Sequence, residues 1–184
     1  MIQNNYTLLK ISRQKVKIEL LTPFQKYVYE KLSLEPRWDR HGRTSMRPYL
    51  LDSVITAMMH GGWNTGKKIL AAKMLLKIAH IVEKTLNEQF MHVLVVAICN
   101  GYTINQVRYI PRGSIRVSCK VYPSPKKAIS RVIKIIFQSG KNAYRGGDSC
   151  ARIATHIIAA YKRQTCQLLS TKRHALKMAA AASR

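Results

Sequence analysis

The sequence predicts a mainly α fold in which one β-hairpin interrupts a series of helices. Apolar residues recur at helical spacing over most of the chain from Pro48 onward. The stretch from Ile104 to Val121 instead has two arms of β-strand character, and the second arm alternates apolar with polar side chains. The chain has 184 residues, of which 47% are apolar, and this suits a single globular domain with a substantial core.

The first 47 residues are expected to form a basic extension, separate from a helical domain that spans 48–184. Four lysines and arginines precede the first acid, Glu19, which is typical of RNA-binding arms and of organellar transit peptides. Because the chain begins at Met1, we favour the arm and expect synthesis in the compartment where the protein acts. Aromatic residues and prolines in the second half of the extension suggest short helical turns on a partner surface.

Three helices are predicted after Pro48. Leu50 to Met59 forms the first, and a glycine pair ends it. The second covers 67–86, and one face of it is predicted to point inward, with the apolar residues Ile69, Ala72, Leu76, Ala79 and Val82. The third is the most apolar and should lie at the core, with Asn87 capping its start and Asn100 and Gly101 ending it.

A hairpin is predicted near 104–121, with its turn at 111–114. In the second arm apolar residues alternate with Arg116, Ser118 and Lys120, and this alternation predicts a hairpin with one basic face. The hairpin should therefore present cations to a partner on that face.

Three more helices are predicted to complete the chain. The helix after Pro125 should bury Ile129, Val132, Ile133 and Ile136 and expose a basic stripe made of Lys127, Arg131, Lys134 and Lys141. The next begins near Asp148 or Ser149 and should place Ile153, Ile157 and Tyr161 inside, with Arg152, His156 and Arg163 outside. A last basic helix is expected to begin near Ser170.

The charge balance predicts a polyanionic partner. Lysine and arginine number 32 against 8 acids, which gives a net charge of +24. So much like charge opposes a compact fold unless nucleic acid or an anionic membrane neutralises it. No apolar run approaches the roughly 18 to 20 residues that span a bilayer, so no membrane span is expected.

The segment GGWNTGKK, from Gly61 to Lys68, matches most of the phosphate-cradling pattern G-x-x-x-x-G-K-[ST]. Lys68 replaces the hydroxyl that would hold magnesium, and a predicted helix rather than a strand enters the loop. We therefore expect Lys67, Lys68 and the backbone amides of the helix start to contact RNA phosphates. A nucleotide-binding enzyme that uses 61–68 stays an alternative, and a basic helical DNA-binding protein is a second one.

No catalytic, metal or cofactor site is predicted. The six histidines show no H-E-x-x-H spacing, and the acids are too few for paired-carboxylate chemistry. The cysteines form no C-x-x-C pair and are expected to be buried or idle thiols; they are Cys99, Cys119, Cys150 and Cys166. A binding protein without a cofactor fits this composition better than an enzyme.

From about Pro48 to its end, the chain resembles the small-subunit ribosomal protein seven family. The family's G-K-K loop is matched by Gly66 to Lys68, and its A-x-x-N-x-x-P-x-x-E-V-x-x-x-R-x-G-G stretch by Asn100 and the run from Val107 to Gly113. The P-x-x-R-x-x-L-A-x-R-W helix is matched by Pro125, Lys126 or Lys127, Ile129 and Arg131, and the R-M-A-E-A-N ending by Lys177, Met178, Ala179 and Ala181. The expected asparagine falls on Ala182, and the tryptophan and the aromatic tail are missing. The order and spacing of these motifs carry the resemblance.

The resemblance implies a bundle of about six helices with a protruding β-hairpin, bound to ribosomal RNA in the head of the small subunit. It also implies that exit-site tRNA and the mRNA path lie near the hairpin, and that ribosomal proteins nine and eleven are neighbours. The loose match and the long extension favour a mitochondrial ribosome, with a plastid or bacterial origin left open.

The residues expected to bind RNA are all basic, since phosphate neutralisation supplies most of the affinity for a polyanion. Specificity should come from the fit to a folded RNA junction, because helical RNA hides its base edges in a deep groove. The predicted RNA-binding residues are Lys67, Lys68, Arg108, Arg112, Arg116, Lys126, Lys127, Arg131, Lys134, Lys172, Arg173 and Lys177.

Overall fold

A computed structural model describes Pro23 and residues 35–38, 44–47, 49–60, 64–142 and 148–182. Those ranges contain six helices, namely α1 (Tyr49–Met59), α2 (Lys68–Leu86), α3 (Phe90–Gly101), α4 (Pro125–Asn142), α5 (Ser149–Tyr161) and α6 (Gln167–Ala181). They also contain two antiparallel strand pairs, namely β1 (Glu35–Trp38) with β2 (Thr44–Arg47) and β3 (Gln106–Arg112) with β4 (Ile115–Val121). The predicted mainly α fold with a β-hairpin after the third helix is confirmed.

The central helix is α3, as its apolar sequence predicted. Of its 12 residues, 10 are buried, and Phe90, Leu94 and Ile98 have no exposed surface. Helix α5 packs along it, and α2 and α4 each pack on α5. Helix α1 contacts both α2 and α4, so the helices enclose one continuous core.

The buried face of α2 differs from the predicted one. Ala79 and Val82 are buried as expected, but Ile69 is 57% exposed, and the core side is formed by Ala71, Leu75, Ile78, Ala79 and Val82. Apolar residues lie on nearly every side of the first half of this helix, so the periodicity did not fix its rotation. Packing between α1 and α5 selects the face that is buried.

The predicted starts of α3 and α6 differ from the observed ones, and the predicted start of α5 is confirmed. Asn87 adopts a left-handed conformation (φ 56°) and ends α2, its N–H donating to the Glu83 carbonyl at 2.9 Å; asparagine tolerates this conformation better than most residues. It does not cap α3. Helix α6 begins three residues before Ser170, because the Ser170 N–H donates to the Cys166 carbonyl at 3.1 Å and so already lies within the first turn. Helix α5 begins at Ser149 as predicted, and Asp148 caps it by accepting from the Cys150 N–H at 3.1 Å.

The hairpin turns through the two residues Gly113 and Ser114. Arg112 pairs with Ile115 across the turn, and Gly113 has φ 61°, which suits the glycine position of a type II′ hairpin turn. The prediction of one basic face is wrong. Arg116 lies opposite Pro111, whereas Arg108 lies opposite Cys119, and directly paired residues share a face. Arginines therefore project from both faces of the hairpin.

In the extension the structure describes Pro23 and the pair β1 and β2, in register from Glu35 with Arg47 to Trp38 with Thr44. The predicted short helical turns are wrong for these two segments. Pro36 is tolerated in β1 because a two-stranded sheet consists only of edge strands. The remaining part of the 1–47 extension lies outside the described residues, as do Gly61 to Trp63 of the GGWNTGKK segment.

Candidate nucleic-acid interface

Helix α4 carries the predicted basic stripe on its exposed side. Lys127, Arg131 and Lys134 are exposed and follow one another at spacings of four and three, so they project from one side of the helix over about 10 Å. Lys126 is exposed beside them, and the side chain of Lys141 lies outside the described part. The opposite side buries Ile129, Val132, Ile133 and Ile136 as predicted. The core therefore fixes the direction in which the cations point.

The hairpin exposes its outer half, which contains Arg108, Arg112 and Arg116. Large apolar side chains are exposed between the arginines, with Tyr109 at 56% and Ile115 at 68%. A surface that combines guanidinium groups with apolar and aromatic side chains is suited to both the phosphates and the bases of unpaired RNA.

The loop before α2 offers fewer donors than the sequence suggested. Lys67 is exposed, but Lys68 forms an ion pair of 3.0 Å with Asp52 of α1, which is only 16% exposed. The N–H groups of Lys67 and Lys68 already donate to the carbonyls of Asn64 and Gly66. These two amides are therefore engaged inside the loop, and its phosphate contacts would come from the lysine side chains.

In α6 the three predicted residues divide into two kinds. Arg173 and Lys177 are exposed. Lys172 is half-buried and donates to the Asn100 carbonyl at the end of α3, at 2.7 Å. Burial lowers the pKa of Lys172, and the neighbouring Arg163 guanidinium lowers it further. Lys172 therefore joins two helices as well as carrying charge.

Asn100 is the centre of a polar cluster that the sequence did not reveal. Its side-chain amide donates to the carbonyls of Ala160 and Tyr161 at 3.0 and 3.1 Å, and its side-chain oxygen accepts from Arg163 Nε at 3.1 Å. Asn100 is 8% exposed. The partners lie 60 to 72 residues away along the chain, so no local spacing could have shown the cluster.

The acids of the helical domain are all bonded within the protein. Asp52 pairs with Lys68, and Asp148 caps α5. Glu83 accepts from the Phe90 N–H at 3.2 Å, and Glu88 accepts from the Tyr161 hydroxyl at 2.8 Å. Burial raises the pKa of Tyr161, and the bond to Glu88 raises it further. Each negative charge between residues 49 and 182 thus has an internal partner, while most cations there face outward.

A second row of lysines follows α2. Lys73, Lys77 and Lys84 are exposed at spacings of four and seven, which places them on one side of the helix. Helix α2 packs mainly on α1, α3 and α5, so this row belongs to a different part of the surface from the α4 stripe. The spacing of this row is visible in the sequence, although the sequence analysis predicts no RNA contact for it.

Neither a metal cluster nor a membrane-spanning helix is present within the described ranges. No group of three or more histidine, cysteine or acidic side chains is placed to hold a metal ion in that part of the chain. None of the described helices is both long and apolar enough to cross a bilayer. The cysteines remain free thiols, and burial raises the pKa of Cys99 to about 12.

Comparison with known proteins gives one family and two relatives. The family described as Ribosomal protein S7p/S5e matches residues 23–183, beginning inside the predicted extension. The chain is similar to the small ribosomal subunit protein uS7 of Archaeoglobus fulgidus, with 28% identity over 163 residues that cover 83% of this chain and 84% of that protein. It is also similar to uS7 of Methanococcoides burtonii, with 26% identity over 116 residues, which is 62% of each chain.

Proposed function

The chain belongs to the Ribosomal protein S7p/S5e family, and from this membership we propose that it organises the RNA of the small-subunit head. It is a structural component of the small ribosomal subunit that binds ribosomal RNA, and it is not an enzyme. The observation that carries the proposal is the division of charge, in which acids bond internally and cations face outward. The alternatives of a nucleotide-binding enzyme and of a DNA-binding protein gain no support, since a helix enters the GGWNTGKK segment and Lys68 pairs with Asp52.

RNA recognition rests on two physical contributions. The α4 stripe, the hairpin arginines and the exposed cations of α6 neutralise phosphates, and the release of counterions supplies most of the affinity. The packed helices hold these cations at fixed separations, so an RNA with matching phosphate positions binds better than an unfolded RNA of equal charge. Discrimination between RNAs therefore comes from shape.

The direct test is binding to the head-domain junction of the cognate small-subunit ribosomal RNA, with a scrambled RNA of equal length as the control. We expect the preference for the junction to survive at high salt, because counterion release does not distinguish two equally charged RNAs. Equal affinities that fall together as salt rises would contradict the proposal and leave only a nonspecific polycation.

The hairpin is proposed to reach exit-site tRNA and the mRNA path. Its exposed outer half and the arginines on both faces support this role. Tyr109 and Ser118 are directly paired in the hairpin. A truncated protein can therefore be made by replacing the residues between them with an Asn-Gly turn. The truncated protein should still bind ribosomal RNA but should alter tRNA release or mRNA binding in reconstituted subunits. Loss of RNA binding instead would assign the hairpin to docking.

The remaining proposals concern neighbours and compartment. Ribosomal proteins nine and eleven are proposed as neighbours in the head, and the mitochondrial ribosome as the particle. The basic amino-terminal residues support a divergent organellar member. Co-sedimentation of the protein with small subunits from purified mitochondria, and cross-links to the two neighbours, would test these proposals. Recovery of the protein only with plastid or bacterial ribosomes would overturn the proposed mitochondrial location.

A further inference from the structure

We propose that Asn100 holds Arg163 and Lys172 as a preformed clamp for one phosphate group of the RNA backbone. The inference rests on the proposed binding to ribosomal RNA and assigns a specific contact within it. Arg163 was not among the residues predicted to bind RNA, and Lys172 was predicted only from its charge.

Asn100 uses its whole side chain and its carbonyl to fix both cations. The amide group anchors Asn100 to the last carbonyls of α5, which belong to Ala160 and Tyr161. The side-chain oxygen then accepts from Arg163 Nε, and the backbone carbonyl accepts from Lys172 Nζ. One buried residue at the end of α3 thereby sets the positions of two cations from separate parts of the chain.

The cations retain most of their donors after these bonds. Arg163 uses one of its five N–H groups and Lys172 one of its three on Asn100. The bond to Asn100 uses Nε of Arg163, which leaves the four N–H groups of the two terminal guanidinium nitrogens out of that bond. Arg163 is exposed, so these donors are accessible for a bidentate contact of the kind that guanidinium makes with phosphate.

The pair of cations is unfavourable without an anion. The left-handed conformation of Arg163 (φ 55°) comes from a Schellman ending of α5, in which the N–H groups of Gln164 and Arg163 donate to the carbonyls of Ala159 and Ala160. Burial lowers the pKa of Lys172 and the positive charge of Arg163 lowers it further, and the bonds that hold the two cations go to the neutral Asn100. A phosphate between the two cations would offset their repulsion.

A purely structural role is the competing explanation, since lysine and arginine commonly bond the last carbonyls of a helix. Such a role predicts loss of stability but no specific effect on RNA. The neighbouring Lys162 provides a matched control, because it is exposed and one residue away, and none of the bonds to Asn100 involves it.

The experiment compares the full-length protein with Arg163→Gln, Arg163→Lys, Lys172→Gln and Lys162→Gln, after circular dichroism has shown that each is folded. Affinity for the head-domain junction should fall about tenfold for each of the first three variants, as expected for the loss of one charge-assisted hydrogen bond. Arg163→Lys retains the positive charge but loses the bond from Nε to Asn100. Its loss of RNA affinity therefore measures how much the fixed position of the cation contributes. Lys162→Gln should change the affinity by less than about twofold, since it removes only screened charge.

Phosphate ethylation interference identifies the contact. Ethylation of the clamped phosphate should prevent binding of the wild-type protein. The same ethylation should no longer affect the binding of Arg163→Gln and Lys172→Gln, whereas ethylation at the other contacted phosphates should still weaken their binding. The clamp is refuted if both variants retain every interference position, or if Lys162→Gln weakens binding as much as Arg163→Gln. Failure of the wild-type protein to prefer the junction would instead overturn the proposed function on which the clamp depends.

Discussion

Replacement of Lys127, Arg131 and Lys134 together by glutamine is expected to reduce the salt dependence of RNA binding by a predictable amount. All three side chains are exposed on one side of α4. Each lost phosphate contact lowers the slope of log affinity against log salt by about 0.7 to 0.9, so the triple variant should lose about 2 to 3. Glutamine has a helix propensity close to those of lysine and arginine, and the buried side of α4 is unchanged, so the fold should persist.

The matched control is the triple glutamine variant of Lys73, Lys77 and Lys84 on α2, which removes the same charge from a helix that packs mainly on other elements. Both variants would be titrated with the head-domain junction over a salt series. The slope of the α2 variant should differ from the wild-type slope by no more than about 0.7 to 0.9, the value for one phosphate contact. Equal decreases of slope in the two variants would show that only total charge matters. An unchanged slope in the α4 variant would show that the α4 stripe does not contact the RNA.

Three further predictions concern stability. Gly140→Ala should cost about 2 to 3 kcal/mol in chemical denaturation, because a methyl group there would lie 2.9 Å from the Ile153 Cα. Gly101→Ala would place its methyl group within 2.9 Å of the Leu168 side chain but of no backbone atom, and it should cost less because a side chain shifts more easily than a helix backbone. An equal or larger cost for Gly101→Ala would contradict the packing. Asp148→Ala should cost about 1 kcal/mol by removing the cap of α5, and Asp148→Asn should recover most of it. Burial lowers the pKa of His156 below 6.5, so the unfolded chain takes up the proton more readily and stability should fall as pH drops through about 6.5; in His156→Gln this part of the pH dependence should disappear.

Local features of the sequence were enough to predict the helices and the α4 stripe. The stripe and the buried side of α4 were predictable because both follow from one helical period within a single element. The start of α5 near Asp148 was predictable because a capping carboxylate needs only the first amides of its own helix. The hairpin was predictable because alternation and a glycine-containing turn are local signals.

Only the tertiary structure decided which side of α2 is buried, which face each hairpin arginine occupies, and what Asn100 does. Helix α2 is apolar on nearly every side of its first half, so packing against the neighbouring helices determines which side of it is buried. The faces of Arg108 and Arg116 depend on which two residues form the turn, because a shift of one residue reverses every side chain. Asn100 gathers Arg163 and Lys172 across 63 and 72 residues of chain, and such contacts exist only once the helices have packed. The sequence by itself therefore determined the helices, the hairpin and an excess of positive charge, while the packing of the core determined which cations stand together.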